Sequence, residues 1–147
     1  MKYSTGVLML CAALSQTAVA EEGAFEREIE ARKASFSQIE ELSERVEIDL
    51  ESDNIPWAIL EANTTALLDA SSSLNGLFPE GSHENSRAKQ KIWHSPIEFK
   101  SGLTQMNIHF ESLKTAVFQK KTDAAERALD QANDMCGSCH RKYRSWW

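Results

Sequence analysis

The sequence lacks any apolar stretch long enough to cross a bilayer, the one near its start included, so no membrane-spanning helix is expected. It lacks strand-like alternation of useful length and any internal repeat, which argues against a sheet or a solenoid. Basic charge is in short supply. Sixteen Lys and Arg face 22 Asp and Glu, a formal charge of −6. So acidic a chain has no electrostatic reason to bind nucleic acid or anionic lipid. Cysteine is scarce as well, with Cys11, Cys136 and Cys139 making up the total of 3. An oxidising compartment uses cysteines to staple distant segments. A bond between residues three apart closes almost no loop, so Cys136 and Cys139 are there for chemistry rather than stability.

The first twenty residues read as a secretory leader. Lys2 gives a positive start, Val7–Leu14 is an apolar run too short to span a bilayer, and Ala18-Val19-Ala20 offers the small-x-small site of signal peptidase. Cleavage is expected before Glu21. No twin arginine is present, so the chain is expected to leave unfolded by general secretion, into a Gram-negative periplasm. Leu10 precedes Cys11 where a lipid-attachment site calls for a small residue, so no lipid anchor is expected. Residues 21–147 then form one domain, large enough for a real core. Losing Lys2 leaves 15 basic against 22 acidic residues, a charge of −7.

The remainder divides into four helical segments. The first follows Phe25, Ile29, Arg32, Phe36, Ile39, Ser43, Val46 and Leu50, an alternating four-three spacing that suits a shallow helix crossing. Asp53-Asn54-Ile55-Pro56 ends it, and Pro56 suits the first position of the next helix. The second follows Trp57, Leu60, Thr64, Leu67, Ser71, Leu74 and Phe78, stopped by Gly76 and Pro79. Residues 79–89 are polar and aperiodic, a crossing loop. The third follows Ile92, Pro96, Phe99, Leu103, Met106, Phe110, Leu113 and Val117, with Pro96 in its first turns, where a missing amide costs least. Thr122 or Asp123 is expected to cap the fourth, which runs through Ala125, Ala128, Leu129, Ala132, Met135 and Cys139 to Tyr143. The expected fold is all-α, an antiparallel four-helix bundle. Ala124, Ala125, Ala128 and Ala132 on the last helix either leave space for a flat cofactor or reflect helix propensity alone.

Cys136-Gly137-Ser138-Cys139-His140 is the attachment signature for a c-type haem. Residues three apart on a helix share a face, so two thiols reach one porphyrin edge and form thioethers with its vinyl groups. His140 follows on the same face and can ligate the iron. Zinc would require four ligands, and a thioredoxin-like centre a βαβ setting; the sequence offers neither. One motif implies one haem per chain.

The sixth position on the iron separates electron transfer from gas binding. Met106 is the credible internal ligand, although a seam methionine more often serves as packing. Met135 adjoins Cys136 and cannot fold over the far side, His83 is in the loop, and His94 and His109 read as surface residues. Arg32 in the first seam calls for an anionic partner, either a haem propionate or an acid on another helix. Phe36 either lies over the haem or packs in the core. Trp146 and Trp147 are unexplained: they either pack on the haem edge or are simply exposed.

The whole stretch after the leader resembles the cytochrome c′ family. The features that carry the likeness are the C-terminal Cys136-x-x-Cys139-His140-x-x-Tyr143-Arg144 and the run Ile29 to Phe36 with Arg32 and Lys33. Supporting ones are Leu77-Phe78-Pro79 with Gly81-Ser82, and Ile92-Trp93 before Phe99. The resemblance implies a high-spin, five-coordinate haem attached at Cys136 and Cys139, with His140 on the iron. It implies a pocket of Arg32, Lys33, Phe36, Phe78, Arg87 and Arg144, with Phe36 on the distal side. Low-spin relatives carry a methionine on the first helix; this chain has none there. The resemblance further implies binding of nitric oxide and carbon monoxide, in sequestration or protection, and a homodimer through the first two helices. The rival expectation is a periplasmic electron carrier with a basic redox partner. No general base stands near Phe36, so no enzymatic turnover is expected.

Overall fold

The structure is a computed structural model and describes Gly23 and residues 25–146. The expected leader and Trp147 lie outside the described residues. Helix α1 spans Glu26–Leu50, α2 Trp57–Ser73, α3 Lys91–His94, α4 Pro96–Phe118 and α5 Thr122–Tyr143. The four long helices form the bundle, and no strand occurs among the described residues apart from one isolated bridge. No helix among them is long and apolar enough to cross a membrane.

The α1 seam is as its spacing demands. Ile29, Arg32, Ile39, Ser43, Val46 and Leu50 are buried, while Phe36 is half-buried because it faces a cavity. On α2, Leu60, Thr64, Leu67 and Ser71 are buried, and the Thr64 hydroxyl donates back to the Leu60 carbonyl at 2.8 Å. Pro56 stands one place earlier than expected, as the residue capping α2, and its carbonyl accepts the Leu60 N–H at 3.0 Å. A 3₁₀ turn, Leu74–Gly76, closes this segment, so Phe78 lies beyond the helix.

The third segment is not continuous. Ser95, at φ −134° and ψ 58°, separates the single turn of α3 from α4, and Pro96 opens the longer helix. The cause is local, because the ring of a proline excludes the helical conformation at the residue before it. The expected cap by Thr122 or Asp123 is also absent. Lys121 occupies the cap position and no side chain bonds there. The α4–α5 turn is instead closed by backbone: Lys120 takes φ 54°, and the N–H groups of Lys120 and Lys121 donate to the carbonyls of Val117 and Ala116, both at 2.9 Å. This is a Schellman closure with lysine in the place glycine usually takes.

Helix α1 packs closely on α2, α2 on α4 and α4 on α5, while α1 and α5 touch far less. The alanines of α5 explain part of this. Ala125, Ala128 and Ala132 are buried in the core, and neither they nor Ala124 line the large cavity. They bring helices together and do not leave room for a cofactor, which corrects one of the two sequence readings.

Candidate functional site

A cavity of about 780 Å³ lies between α1 and α5, walled by α4 and the loop before α3. Its volume falls in the range of small-molecule and cofactor pockets. All nine residues singled out from the sequence line it: Arg32, Lys33, Phe36, Phe78, Arg87, Cys136, Cys139, His140 and Arg144.

The α5 wall carries the reactive groups. Cys136 and Cys139 are half-buried free thiols, and the Cys136 thiol points back toward the Ala132 carbonyl at 3.5 Å. Burial pushes both thiols above the ordinary cysteine value. They are not the low-pKa thiolates of a disulfide oxidoreductase. His140 is pushed below its ordinary value, first by burial and then by the charge of Arg144. That shift favours the neutral ring, whose lone pair can ligate. Gly102 of α4 faces Cys139: a Cβ placed there would stand 3.6 Å from the sulfur.

The opposite wall is apolar and aromatic. Phe36 meets Phe78 edge to face at 6.5 Å and Phe78 meets Phe99 at 4.7 Å; Phe99 then meets Tyr143 of α5 at 5.1 Å, where the two walls join. Ile39, Leu103 and Met106 complete it. Arg32 is buried, 4% exposed, and corrects the expectation of an acid on another helix. Its guanidinium donates to the Leu77 carbonyl at 3.2 Å, the Ser82 hydroxyl at 2.8 Å and the Ser82 carbonyl. None of the ion pairs among the described residues includes it.

The loop and the C-terminus are tied together at the cationic end. Ala88 and Arg144 form an antiparallel bridge, the Lys89 N–H donates to the Tyr143 carbonyl at 2.9 Å, and the Ser145 N–H donates to the Arg87 carbonyl at 2.8 Å. Arg87 and Arg144, both exposed, are thereby carried on adjoining segments at the cavity. Lys33 stands at the mouth and pairs with Glu30 at 2.7 Å. His83 is partly buried, its ring tilted against Trp93 with centroids 5.6 Å apart, and is not among the residues lining the cavity. Trp146 is exposed and has no contact that explains it.

Sequence reasoning missed part of the lining. Glu40, Glu44 and Glu47 border the cavity on α1, and Tyr143 and Ser43 line it. The signal was present: residues 40, 43 and 47 continue the face of Phe36, and Tyr143 follows His140 by three. The hydroxyls of Ser43 and Tyr143 are buried without a hydrogen-bond partner. Such orphaned groups, two unused thiols, a neutral imidazole, apolar walls and arginines at one end fit a flat, largely apolar group that carries carboxylates. A haem meets that description. Cys136 and Cys139 would hold it, with His140 toward the iron.

The family model for cytochrome c′ matches residues 27–144. No curated protein matches the chain. Among solved structures, cytochrome c′ from Thermochromatium tepidum is 20% identical, with 82% of this chain and 95% of that one covered and a TM-score of 0.75. A cytochrome c′ described by an unusual ligand-controlled dimer dissociation is 21% identical, covering 82% and 95%, also at 0.75. A ferrous arginine-to-lysine variant of the Alcaligenes xylosoxidans protein with bound NO is 20% identical, covering 83% and 96%, at 0.76. At these identities the likeness is one of fold.

Proposed function

The chain belongs to the cytochrome c′ family, which carries covalently bound haem c, and from that membership and the site we propose that it is a periplasmic gas-binding protein with one haem per chain. Cys136 and Cys139 would hold the group through thioethers, His140 would offer a ring nitrogen to its iron, and Arg32, Lys33, Arg87 and Arg144 would stand near its carboxylates. When bound, the group supplies an iron that takes small neutral gases or passes single electrons. The observation that carries the reading is the composition of the wall facing α5: Phe36, Ile39 and Phe78 line the cavity there, and α1 offers no methionine or histidine to fill the far side of the iron. An apolar wall gives bound oxygen no hydrogen bond, which its charge separation requires, whereas nitric oxide and carbon monoxide bind without one. The physiological role we assign is sequestration of nitric oxide, without turnover.

Absorption spectra of the ferric and ferrous protein, with and without nitric oxide, test this. The expected result is a high-spin spectrum before ligand is added. A six-coordinate, low-spin spectrum in both redox states would overturn it. Mass spectrometry of the intact chain checks both the single haem and removal of residues 1–20. The proposed homodimer draws support from Ile48 on α1 and Ile59 on α2, 63% and 55% exposed; sedimentation across a concentration series checks it.

A second reading, an electron carrier, is favoured by two observations. Met106 is buried and lines the cavity, within the set of groups that can ligate iron. Glu40, Glu44 and Glu47 border the same cavity with negative charge, which suits a basic partner. Fast electron exchange with a periplasmic reductase would support it. A protein inert in the ferric state that binds nitric oxide once chemically reduced would count against it.

A further inference from the structure

Phe36 does not hold its place alone. Behind it stands Phe78, and Phe78 is fixed from three directions. Its ring is edge-on to Phe99, with centroids 4.7 Å apart. The Arg32 guanidinium lies over the same ring, 4.9 Å from its centroid. The Trp93 indole N–H donates to the Pro79 carbonyl at 2.8 Å and to that of Phe78 at 3.3 Å, which pins the backbone. Arg32 is fastened in turn by Leu77 and Ser82, and Ser82 is fully buried. Arg32 and Phe36 are one turn apart on α1. One side chain of the helix thus grips the loop ring that bears on the other.

We propose that Phe78 is a positioning residue: locked by Arg32 and Phe99, it sets where the Phe36 ring can go and so governs how fast a small ligand reaches the space under Phe36. This rests on reading the site as a gas-accessible haem pocket. A side chain in a close-packed interior moves only toward free volume. The cavity lies on one side of Phe36, and Phe78 closes another. Edge-to-face pairs and a partly desolvated cation over a ring both resist displacement. The lock acts through shape, with no new contact to the ligand.

The test uses the holoprotein. Carbon monoxide association with the ferrous form is followed by stopped flow, and a 4-fluorophenylalanine at position 36 is observed by fluorine NMR. Phe78→Leu keeps an apolar side chain and removes the ring. It should raise the association rate about tenfold, which corresponds to about 1.4 kcal/mol, and broaden or split the fluorine resonance. Arg32→Lys keeps the charge but loses the planar fork, and should shift both readouts the same way by less. If Phe78→Leu does not fold, Arg32→Lys and Ser82→Ala carry the test. A purely structural Phe78 would lower the melting temperature and leave the association rate and the resonance unchanged, which overturns the lock. If Phe36→Ala speeds association while the lock variants do not, the lock fails and the gas pocket stands. If the wild-type ferrous protein takes up no carbon monoxide, the gas pocket itself fails, and the lock with it.

Discussion

On the α5 wall of the cavity, Cys136, Cys139 and His140 stand within two turns of one helix, half-buried or exposed and tied to little else. On the α1 wall, Arg32 depends on partners 45 and 50 residues away and Phe36 on Phe78, and the rings of Phe78 and Phe99 continue the wall through the loop and α4 until it meets Tyr143 of α5. One wall makes bonds and is local in sequence. The other makes shape and is assembled from the whole chain. Attachment chemistry needs thiols at a fixed spacing, which a helix supplies by itself. Discrimination between small ligands needs a closely packed surface, which only tertiary structure supplies. The two functions should therefore fail separately.

The largest effect is expected from breaking the first wall. Changing both Cys136 and Cys139 to alanine should abolish covalently bound haem, read as loss of haem from the polypeptide after acid denaturation and extraction. Either single change should leave one link. The bundle should survive, since neither thiol makes a bond across helices. If the double variant kept its haem through acid extraction, the assignment of the α5 wall would be wrong.

The next effect strikes the second wall. Arg32→Leu leaves the Leu77 carbonyl and both Ser82 acceptors without their buried donor. The expected loss is about 3 kcal/mol of stability, a hydrogen-bonded buried charge being replaced by unpaired acceptors. Chemical denaturation measures it. Covalent haem should remain, because the thiols are untouched. A variant that lost haem instead would tie Arg32 to attachment and erase the contrast between the walls.

The contrast also explains what was legible in the sequence. The α1 seam could be read residue by residue, because a long helix with one buried face repeats its own rule. The attachment motif could be read because its geometry is contained in five residues. Arg32 in the seam reads as a cation in need of an anion, whereas the loop supplies neutral acceptors, since a carbonyl leaves no mark in the residue types. The four alanines of α5 were ambiguous for a related reason: small residues permit either a cofactor or a neighbouring helix, and the choice belongs to the partner. The break at Ser95 was legible in principle from Pro96. The closure at Lys120 was not, because it is made entirely of backbone.

A smaller effect sharpens the comparison at Met106, which sits between the walls. If the methionine only packs, Met106→Leu is close to volume-conserving and should cost less than about 1.5 kcal/mol. The spectrum should stay as in the parent protein. Loss of a low-spin component in the variant would make the sulfur a ligand and shift the balance to the electron carrier.

The smallest effect lies outside the cavity, where the same backbone demand is met in two ways. Gly81 takes φ +88° in the loop that holds Arg32, and a Cβ there would come within 3.3 Å of the Phe25 ring. Lys120 takes φ 54° in the α4–α5 turn, although its side chain is exposed and glycine would carry less strain. A left-handed residue other than glycine costs about 1–2 kcal/mol, and glycine gives back part of that through the unfolded chain. Lys120→Gly should thus stabilise the bundle by about 1 kcal/mol. In a domain of this size that raises the melting midpoint by about 4 °C. Because the turn touches neither wall, carbon monoxide association and the haem spectrum should not change. A gain in stability that also slowed ligand entry would mean that the shape of the α1 wall follows global stability, and the separation of the two walls would no longer hold.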